Sequence, residues 1–293
     1  MNQISLESLN AADRGSFIAA LGEVMEHAPW VAEVVYAARP FASLAALYRA
    51  MIDAVLKGGD ARKLALINGH PELAVKALDS LTADSAAEQG GAGLDRLTPE
   101  ELAAFQRLNE AYRSKFGIPF IICVRRHGRD SILRNFRQRL ENDAATERDA
   151  ALAEIFRIAA LRLDLRVTAP DRLKVHGSLS THVLDTSGGC PATDIAIELC
   201  EIPASGAARI LARMTTNADG RTDQPLIAGR PVPIGSYELR FAVGDYFKRR
   251  GGVVSDPPFL GVVPVRFGVS EPEGHYHVPL LITPWSYATY RGS

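Results

Sequence analysis

The chain has 293 residues, of which 47% are hydrophobic, and its 33 Lys and Arg against 34 Asp and Glu leave a formal net charge of -1. This length favours two domains, and the composition excludes the disordered and low-complexity classes. The balanced charge argues against nucleic acid and anionic membranes as partners. Small molecules are therefore the expected ligands.

Cysteine usage and the start of the chain indicate a cellular compartment. Cys123, Cys190 and Cys200 are widely separated and form no C-x-x-C pair, which argues against a disulfide framework and a thiolate zinc site. The first residues lack the pattern of a signal peptide, and no apolar run approaches the ~18 residues of a membrane span. We expect a soluble, cytoplasmic protein that does not interact with membranes.

The first 167 residues show the periodicity of helices. In the segment 98–119, Thr98 is a candidate N-cap, Pro99 suits the first helical position, and Glu101 completes a capping box. Gly117 marks the end of this helix. Similar patterns elsewhere predict an all-α domain over residues 1–167 with roughly seven to nine helices. The apolar stripe of the segment comprises Leu102, Phe105, Leu108, Tyr112 and Phe116.

Residues 168–293 have the composition of a β domain. Twelve of the 17 prolines lie there, together with many valines, threonines and glycines, so we place the domain boundary near residue 168. Alternating apolar and polar positions predict strands and thus a β-sandwich. A short helix is expected within 244–252, and the last residues are expected to fold back beside the final strand. The predicted strands lie within 172–185, 193–202, 208–216, 235–243, 262–269 and 275–282.

Histidines are placed together by strand periodicity. His275 and His277 share one face, with Tyr276 on the other, and His176 and His182 share the polar face of an earlier strand. Spacing alone leaves two plain interpretations open: surface histidines on half-exposed strands, or a zinc site. No cysteine pair or H-E-x-x-H motif accompanies them, so zinc is the weaker interpretation.

Motifs in the second part resemble a known family. The block "LSTHVLDTSGGCPA", the turn "TNADGR" and the ending "HVPLL" followed by "YATYRGS" resemble 5-hydroxyisourate hydrolase, a transthyretin-like enzyme. The resemblance implies a site shared between subunits and built from His182, Arg221, His277 and Ser293. Because His275 shares a strand face with His277, it is a possible substitute for His277. It also implies that the last residues line the active site and that no metal is used.

Motifs in the first part resemble a second family. "NGHPELA", "SAAEQGGAGL" and "EIFRIAALRL" resemble 2-oxo-4-hydroxy-4-carboxy-5-ureidoimidazoline (OHCU) decarboxylase. The resemblance implies a catalytic pair of His70 and Glu88, with Ser85, Gln89 and Arg162 binding the substrate. Without the family, His70 reads as a helix-entry residue and Glu88 as a solvated loop acid.

The two resemblances imply consecutive reactions. We expect a cofactor-independent bifunctional enzyme that converts 5-hydroxyisourate to OHCU and OHCU to (S)-allantoin in urate degradation, assembled as a homotetramer through its β domains. The alternative is a transthyretin-like binding or scaffold protein with an inactive helical domain. The basic turn 125–129 is interpreted as a solvated charged loop, with attraction of an anionic substrate as the less favoured reading.

Overall fold

The computed structural model describes residues 3–74, 81–204, 207–251 and 255–292, so Ser293 lies outside the described residues. Two compact units make up the chain. The first contains Met1–Arg125 and Ile132–Val175, and the second contains Arg126–Ser131 and His176–Ser293.

The first unit is helical, as its periodicity predicts. A two-residue parallel pair, β1 (Ile4–Ser5) with β2 (Val167–Thr168), is an addition that the sequence did not predict. Between β1 and β2, the described residues contain nine α-helices: α1 (Leu6–Ala11), α2 (Arg14–Leu21), α3 (Pro29–Tyr36), α4 (Leu44–Lys57), α5 (Asp60–Asn68), α6 (Ala83–Gly91), α7 (Pro99–Phe116), α8 (Arg129–Arg139) and α9 (Ala144–Arg166).

Helix α7 has the ends that its sequence predicts. The Thr98 side chain accepts a hydrogen bond from the backbone N–H of Glu101, and the Glu101 carboxylate accepts one from the backbone N–H of Thr98. Gly117 adopts a left-handed conformation with φ of 69° and closes the helix. The capping box and the glycine terminator are thus both confirmed.

Helix α9 forms the centre of the first unit. Its buried residues occur on all sides of the helix and include charged side chains as well as apolar ones. A helix that is buried all round belongs to the interior of a domain. The burial matters for function because it fixes the Arg162 side chain inside the unit, at 3% exposure.

Residues that follow α9 still belong with the helices. Asp171 accepts hydrogen bonds from the backbone N–H groups of Leu44 and Ala45 at the start of α4. Arg172 forms an ion pair with the buried Asp164 of α9. These contacts explain why the helical unit extends to Val175, a few residues beyond the change in composition.

The second unit is a two-sheet structure. One sheet has the strand order β11-β10-β3-β4 with β7 also paired to β3, and the other has the order β6-β5-β8-β9. The six predicted strands and the predicted helix are all present, and the chain folds back along β10 as expected. The elements are β3 (Gly177–Asp185), β4 (Cys190–Pro191), β5 (Ala196–Glu201), β6 (Arg209–Thr215), β7 (Ile227–Arg230), β8 (Gly235–Phe241), α10 (Val243–Arg249), β9 (Val263–Val269), β10 (His275–Ile282) and β11 (Tyr287–Thr289).

The basic turn at 125–129 is not a solvated loop, and that interpretation is wrong. Arg126 donates two hydrogen bonds to the carboxylate of Glu273, at 2.7 and 2.9 Å. His127 is buried, and its ring nitrogen lies 2.8 Å from the Ser131 hydroxyl. The partner of Arg126 is distant in sequence, so no local pattern predicts the pairing.

Two further features bear on the cellular setting. In the four described ranges, no helix combines the length and the apolar composition that crossing a membrane requires. The three cysteines are free thiols, two of them buried.

Candidate active sites

Arg162 lies at the centre of a buried polar cluster in the first unit. Its Nε and Nη2 atoms each donate a hydrogen bond of 2.9 Å to one carboxylate oxygen of Glu88 on α6. Nη2 also donates to Glu26 at 3.0 Å and to the Ser85 hydroxyl at 3.2 Å. One guanidinium therefore joins α9, α6 and the segment between α2 and α3.

Glu26 is the second carboxylate of this cluster and is 1% exposed. Its oxygens accept hydrogen bonds from the hydroxyls of Thr82, at 2.5 Å, and Ser85, at 2.6 and 2.7 Å. Burial alone would raise the pKa of Glu26, but the charge of Arg162 and the two hydroxyl donors outweigh it and hold that pKa below its usual range. Glu26 is therefore an ionised, fully hydrogen-bonded carboxylate at neutral pH.

His70 follows α5 and is held in one tautomer. Its Nδ1 atom lies 2.9 Å from the Leu66 carbonyl oxygen, which can only accept, so Nδ1 carries the proton. Burial lowers the pKa of His70 despite that bond and the nearby Glu26, and the ring is neutral at neutral pH. Among the described residues, Nε2 has no hydrogen-bond partner. It therefore offers a lone pair to a ligand.

Gln89 fixes the loop that follows His70. Its side-chain oxygen accepts a hydrogen bond from the backbone N–H of Ala74 at 3.0 Å, and its side-chain nitrogen donates to the Glu72 carbonyl at 3.3 Å. Asn109 of α7 donates to the Leu73 carbonyl at 2.8 Å. One amide hydrogen and one lone pair of Gln89 remain for a ligand.

These side chains line one cavity of the first unit. A second cavity shares Glu26, His70 and Pro71 with it. The rest of the first cavity's lining is apolar. It is formed by Leu73, Phe120, Ile121, Ile122, Val124 and Ile158.

The structure brings together all five residues expected in the first unit, namely His70, Ser85, Glu88, Gln89 and Arg162, around one cavity. Glu88 is paired with a buried arginine and is not a solvated loop acid. The sequence reading missed Glu26. The available signal was weak: an acidic residue just before the proline that starts α3.

The second cluster lies on one face of the β3–β10 pair in the second unit. These strands run parallel, with Ser178 opposite His275, Ser180 opposite His277, and His182 opposite Pro279. The Ser180 hydroxyl lies 2.9 Å from Nδ1 of His277. Side chains two residues apart share a strand face, so His182 lies on the same face as His277.

The turn before β7 presents Arg221 beside His182. Arg221 forms an antiparallel bridge with His182, and the Asn217 side-chain oxygen accepts hydrogen bonds from the backbone N–H groups of Asp219 and Arg221. Gly220 has a φ of 71°, and a Cβ atom there would lie 2.3 Å from the Val183 carbonyl oxygen. The turn therefore requires glycine immediately before the arginine.

Gly292 flanks His277 on the other side. The two residues form an antiparallel bridge, and the Gly292 backbone N–H donates to the His277 carbonyl at 2.9 Å. A Cβ atom on Gly292 would lie 2.6 Å from the His277 ring, so the close approach requires glycine. Gly292, His277, His182 and Arg221 thus cross the sheet within about 15 Å, three strand spacings.

Both imidazoles of this cluster favour the neutral form. Burial, followed by the positive charge of Arg221, lowers the pKa of His182 and of His277, and His277 is also affected by the two neighbouring histidines. In the described part of the chain, Nε2 of His182 has no hydrogen-bond partner. The face therefore holds two neutral bases and a permanent cation.

Three expected residues of the second site lie together, while Ser293 is outside the described residues. His275 lies two residues before His277 on β10, and the two rings are parallel with their centroids 6.5 Å apart. His176 precedes β3 and is not part of the strand. The sequence reading missed Ser180 and Gly292. No group of three His, Cys, Asp or Glu residues suited to a metal ion occurs in the described ranges.

Two family models match the chain. One, described as OHCU decarboxylase, matches residues 10–164, and the other, described as HIUase/Transthyretin family, matches residues 179–292.

Similar proteins agree with both matches. A 5-hydroxyisourate hydrolase of Halalkalibacterium halodurans is 52% identical over 40% of this chain and 98% of its own length. An OHCU decarboxylase of Halalkalicoccus jeotgali is 38% identical over 58% of this chain and 95% of its own. A crystal structure of (S)-allantoin synthase matches with a TM-score of 0.52 and 33% identity, covering 99% of this chain and all of that one. The last match covers both units.

Arg221→Gln should raise the pKa of both His182 and His277, because the substitution removes a positive charge that disfavours their protonation. NMR titration of labelled histidine rings measures the change. Arg213→Gln is the matched control, since Arg213 pairs with Glu198 on the other sheet. Unchanged titration of both rings in the Arg221 variant would contradict the assigned geometry.

Proposed function

The chain belongs to the OHCU decarboxylase family over residues 10–164 and to the HIUase/transthyretin family over residues 179–292, and we propose that the two clusters described above are its two active sites. It is an enzyme of urate degradation that joins two steps in one protein. The second unit hydrolyses 5-hydroxyisourate to OHCU, and the first unit decarboxylates OHCU to (S)-allantoin. We propose domain limits of 1–167 and 168–293 in the sequence, with residues 168–175 packing on the helical unit.

The observation that carries the proposal is the pair of free imidazole nitrogens. Nε2 of His70 and Nε2 of His182 are both buried and, in the described ranges, both lack a hydrogen-bond partner. A buried polar atom without a partner is uncommon unless a ligand or water meets it. The alternative, a binding or scaffold protein, does not account for buried imidazole nitrogens without partners at both sites. The match to (S)-allantoin synthase over 99% of this chain favours the enzyme.

Hydrolysis of a ring amide requires a base and a stabilised oxyanion. We assign the base to the neutral imidazoles of His277 and His182, one of which accepts a proton from the attacking water. Arg221 stabilises the negative charge that develops on the amide oxygen. His277 is favoured over His275 because Gly292 contacts it and the charge of Arg221 acts on it. We retain Ser293 as a catalytic residue at this site.

Decarboxylation requires a proton to leave the hydroxyl group and protons to reach the ureido carbon and a ring nitrogen. The substrate carries hydroxyl and carboxyl groups on one ring carbon, and allantoin has a carbonyl there and a hydrogen on the neighbouring ureido carbon. Nε2 of His70 is unprotonated and accepts the hydroxyl proton, and the resulting imidazolium delivers a proton to one face of the ureido carbon. This single-sided delivery sets the (S) configuration. Glu88, Ser85, Gln89 and Arg162 orient the substrate in the cavity. No cofactor enters this scheme, because the conjugated ring holds the electron pair.

A homotetramer through the β units and a cytoplasmic location are further parts of the proposal. The half-exposed second cluster favours a site completed by another subunit, and three free thiols are typical of a reducing compartment. Cell fractionation tests the location, and recovery with a membrane or a secreted fraction contradicts it.

His277→Ala should lower the rate of 5-hydroxyisourate hydrolysis roughly 100-fold or more, the usual contribution of a general base. Decarboxylation should be unchanged, because His277 lies in the other unit. Ultraviolet absorbance after uricase oxidises urate follows the disappearance of 5-hydroxyisourate. His275→Ala is the control and should retain most activity. The reverse ranking of the two variants would remove His277 from its role.

His70→Ala should let OHCU accumulate and then decay to racemic allantoin, because no group delivers a proton to a single face. Circular dichroism of the product measures the excess of the (S) form. His27→Asn is the matched control, since His27 lines the adjacent cavity and asparagine tolerates its φ of 51°. Unchanged (S)-allantoin output from the His70 variant would contradict the assignment.

Sedimentation velocity tests the assembly. We expect about four chains per particle for the wild type, near four times the 31.7 kDa chain mass. A monomer with full hydrolase activity would show that the site needs no second subunit.

A further inference from the structure

The cavity of the first unit contains more negative than positive charge. Of the described residues that line it, Glu26, Glu88 and Arg162 are charged, and His70 is neutral. Arg162 is bonded to both carboxylates. Two negative charges against one positive charge leave an excess of one negative charge when the cavity is empty.

Neighbouring charges do not offset this excess. Asp84 lies 4.0 Å from Arg162 but forms its own ion pair with Arg166. Glu72, which lines the adjacent cavity, forms an ion pair with Arg113 at 3.0 Å. Both pairs are balanced, so they add no net charge to the site.

Hydrogen-bond donors hold Glu26 in its ionised form. The groups that contact its carboxylate, the two hydroxyls and the guanidinium, all donate to it. The Ser85 hydroxyl also accepts from Arg162, and the Thr82 hydroxyl also accepts from the Ser85 backbone N–H. A protonated Glu26 would have to give up at least one of the hydrogen bonds that the hydroxyls donate to it.

Building on the decarboxylase function proposed above, we propose that Glu26 gives the cavity its excess negative charge beside the carboxylate of the substrate and thereby favours the departure of that group as neutral CO2. The bond between the ring carbon and the carboxylate breaks, and its electron pair enters the conjugated ring. The neighbouring ureido carbon then takes up the proton that His70 removed from the hydroxyl group, a ring nitrogen takes one from solvent, and the carbon that lost CO2 becomes the carbonyl. The repulsion is therefore present in the ground state and declines as the charge leaves the carboxylate.

This arrangement accelerates the reaction only because the repulsion is stronger in the bound substrate than in the transition state. Like charges several Å apart in a partly buried site change an equilibrium constant by about tenfold to a hundredfold. Contacts with the ring and the ureido group have to supply the binding energy that offsets the repulsion. Glu26 acts through its charge, so its effect depends on the ionic state of the ligand.

Glu26→Gln tests the proposal, because it removes the charge at nearly constant shape. Affinity for the stable anion hydantoin-5-acetate should rise about tenfold, whereas affinity for neutral allantoin should stay unchanged, both measured by calorimetry. The kcat for OHCU should fall about tenfold or more. A role limited to holding Arg162 in place would instead weaken all three together and would overturn the proposal.

Two matched variants separate charge from packing. Glu26→Asp keeps the charge and should restore the wild-type preference between the two ligands. Asp164→Asn removes another buried, arginine-paired carboxylate that does not line the cavity, and it should leave that preference unchanged. Hydrolysis by the second unit reports that each variant protein is folded and intact there. A shift in the Asp164 variant equal to that of Glu26→Gln overturns the assignment to Glu26.

A measurement on the wild type remains decisive even if the Glu26 variants do not fold. Hydantoin-5-acetamide, the neutral analogue of the anion, should bind more tightly than hydantoin-5-acetate. Tighter binding of the anion overturns the proposal. A wild type without decarboxylase activity overturns the proposed function instead, and that result is distinct from either binding outcome.

Discussion

The buried guanidinium of Arg162 is the interaction on which the proposed decarboxylase site depends. Removing an arginine charge from water costs several kcal/mol unless carboxylates and other acceptors surround it. Glu26, Glu88 and the Ser85 hydroxyl supply those acceptors from two separate segments. Because the arginine requires both segments, folding of the helical unit also assembles the cavity that we propose as its active site.

In the second proposed site, strand pairing positions the side chains instead of a buried ion pair. There the β3–β10 pairing sets the distance between imidazoles through backbone hydrogen bonds, and the side chains remain half-exposed. Arg221 and Gly292 are added at the two sides by short bridges. A regular sheet thus places a cation and two neutral bases across two strand spacings without a buried ion pair. The two proposed sites differ accordingly: one is a half-exposed sheet face, and the other is built around a buried ion-paired arginine.

Local signals were sufficient to predict the elements, but long-range contacts decided much of the site chemistry. Thr98, Glu101 and Gly117 lie within or next to the helix they delimit, so its ends were readable from sequence. The ionic partners of Glu26 and Arg126 lie 136 and 147 positions away, so the role of the first was missed and that of the second was misjudged. The expected residues of the decarboxylase cavity came from motif resemblance, because no periodicity brings His70 and Arg162 together. The helices and strands could therefore be predicted from the sequence, whereas the ion pairs of Glu26 and Arg126 could not.

The central claim is that the proposed decarboxylase cavity, when empty, holds a neutral His70 together with ionised carboxylates that are bound to Arg162. Neutron diffraction of the deuterated protein at neutral pH tests it most directly, because it locates each exchangeable hydrogen. The account predicts deuterium on Nδ1 of His70, none on its Nε2, and none on the carboxylate oxygens of Glu26 and Glu88. Deuterium on Nε2 of His70, or on either carboxylate of the pair, would contradict the account.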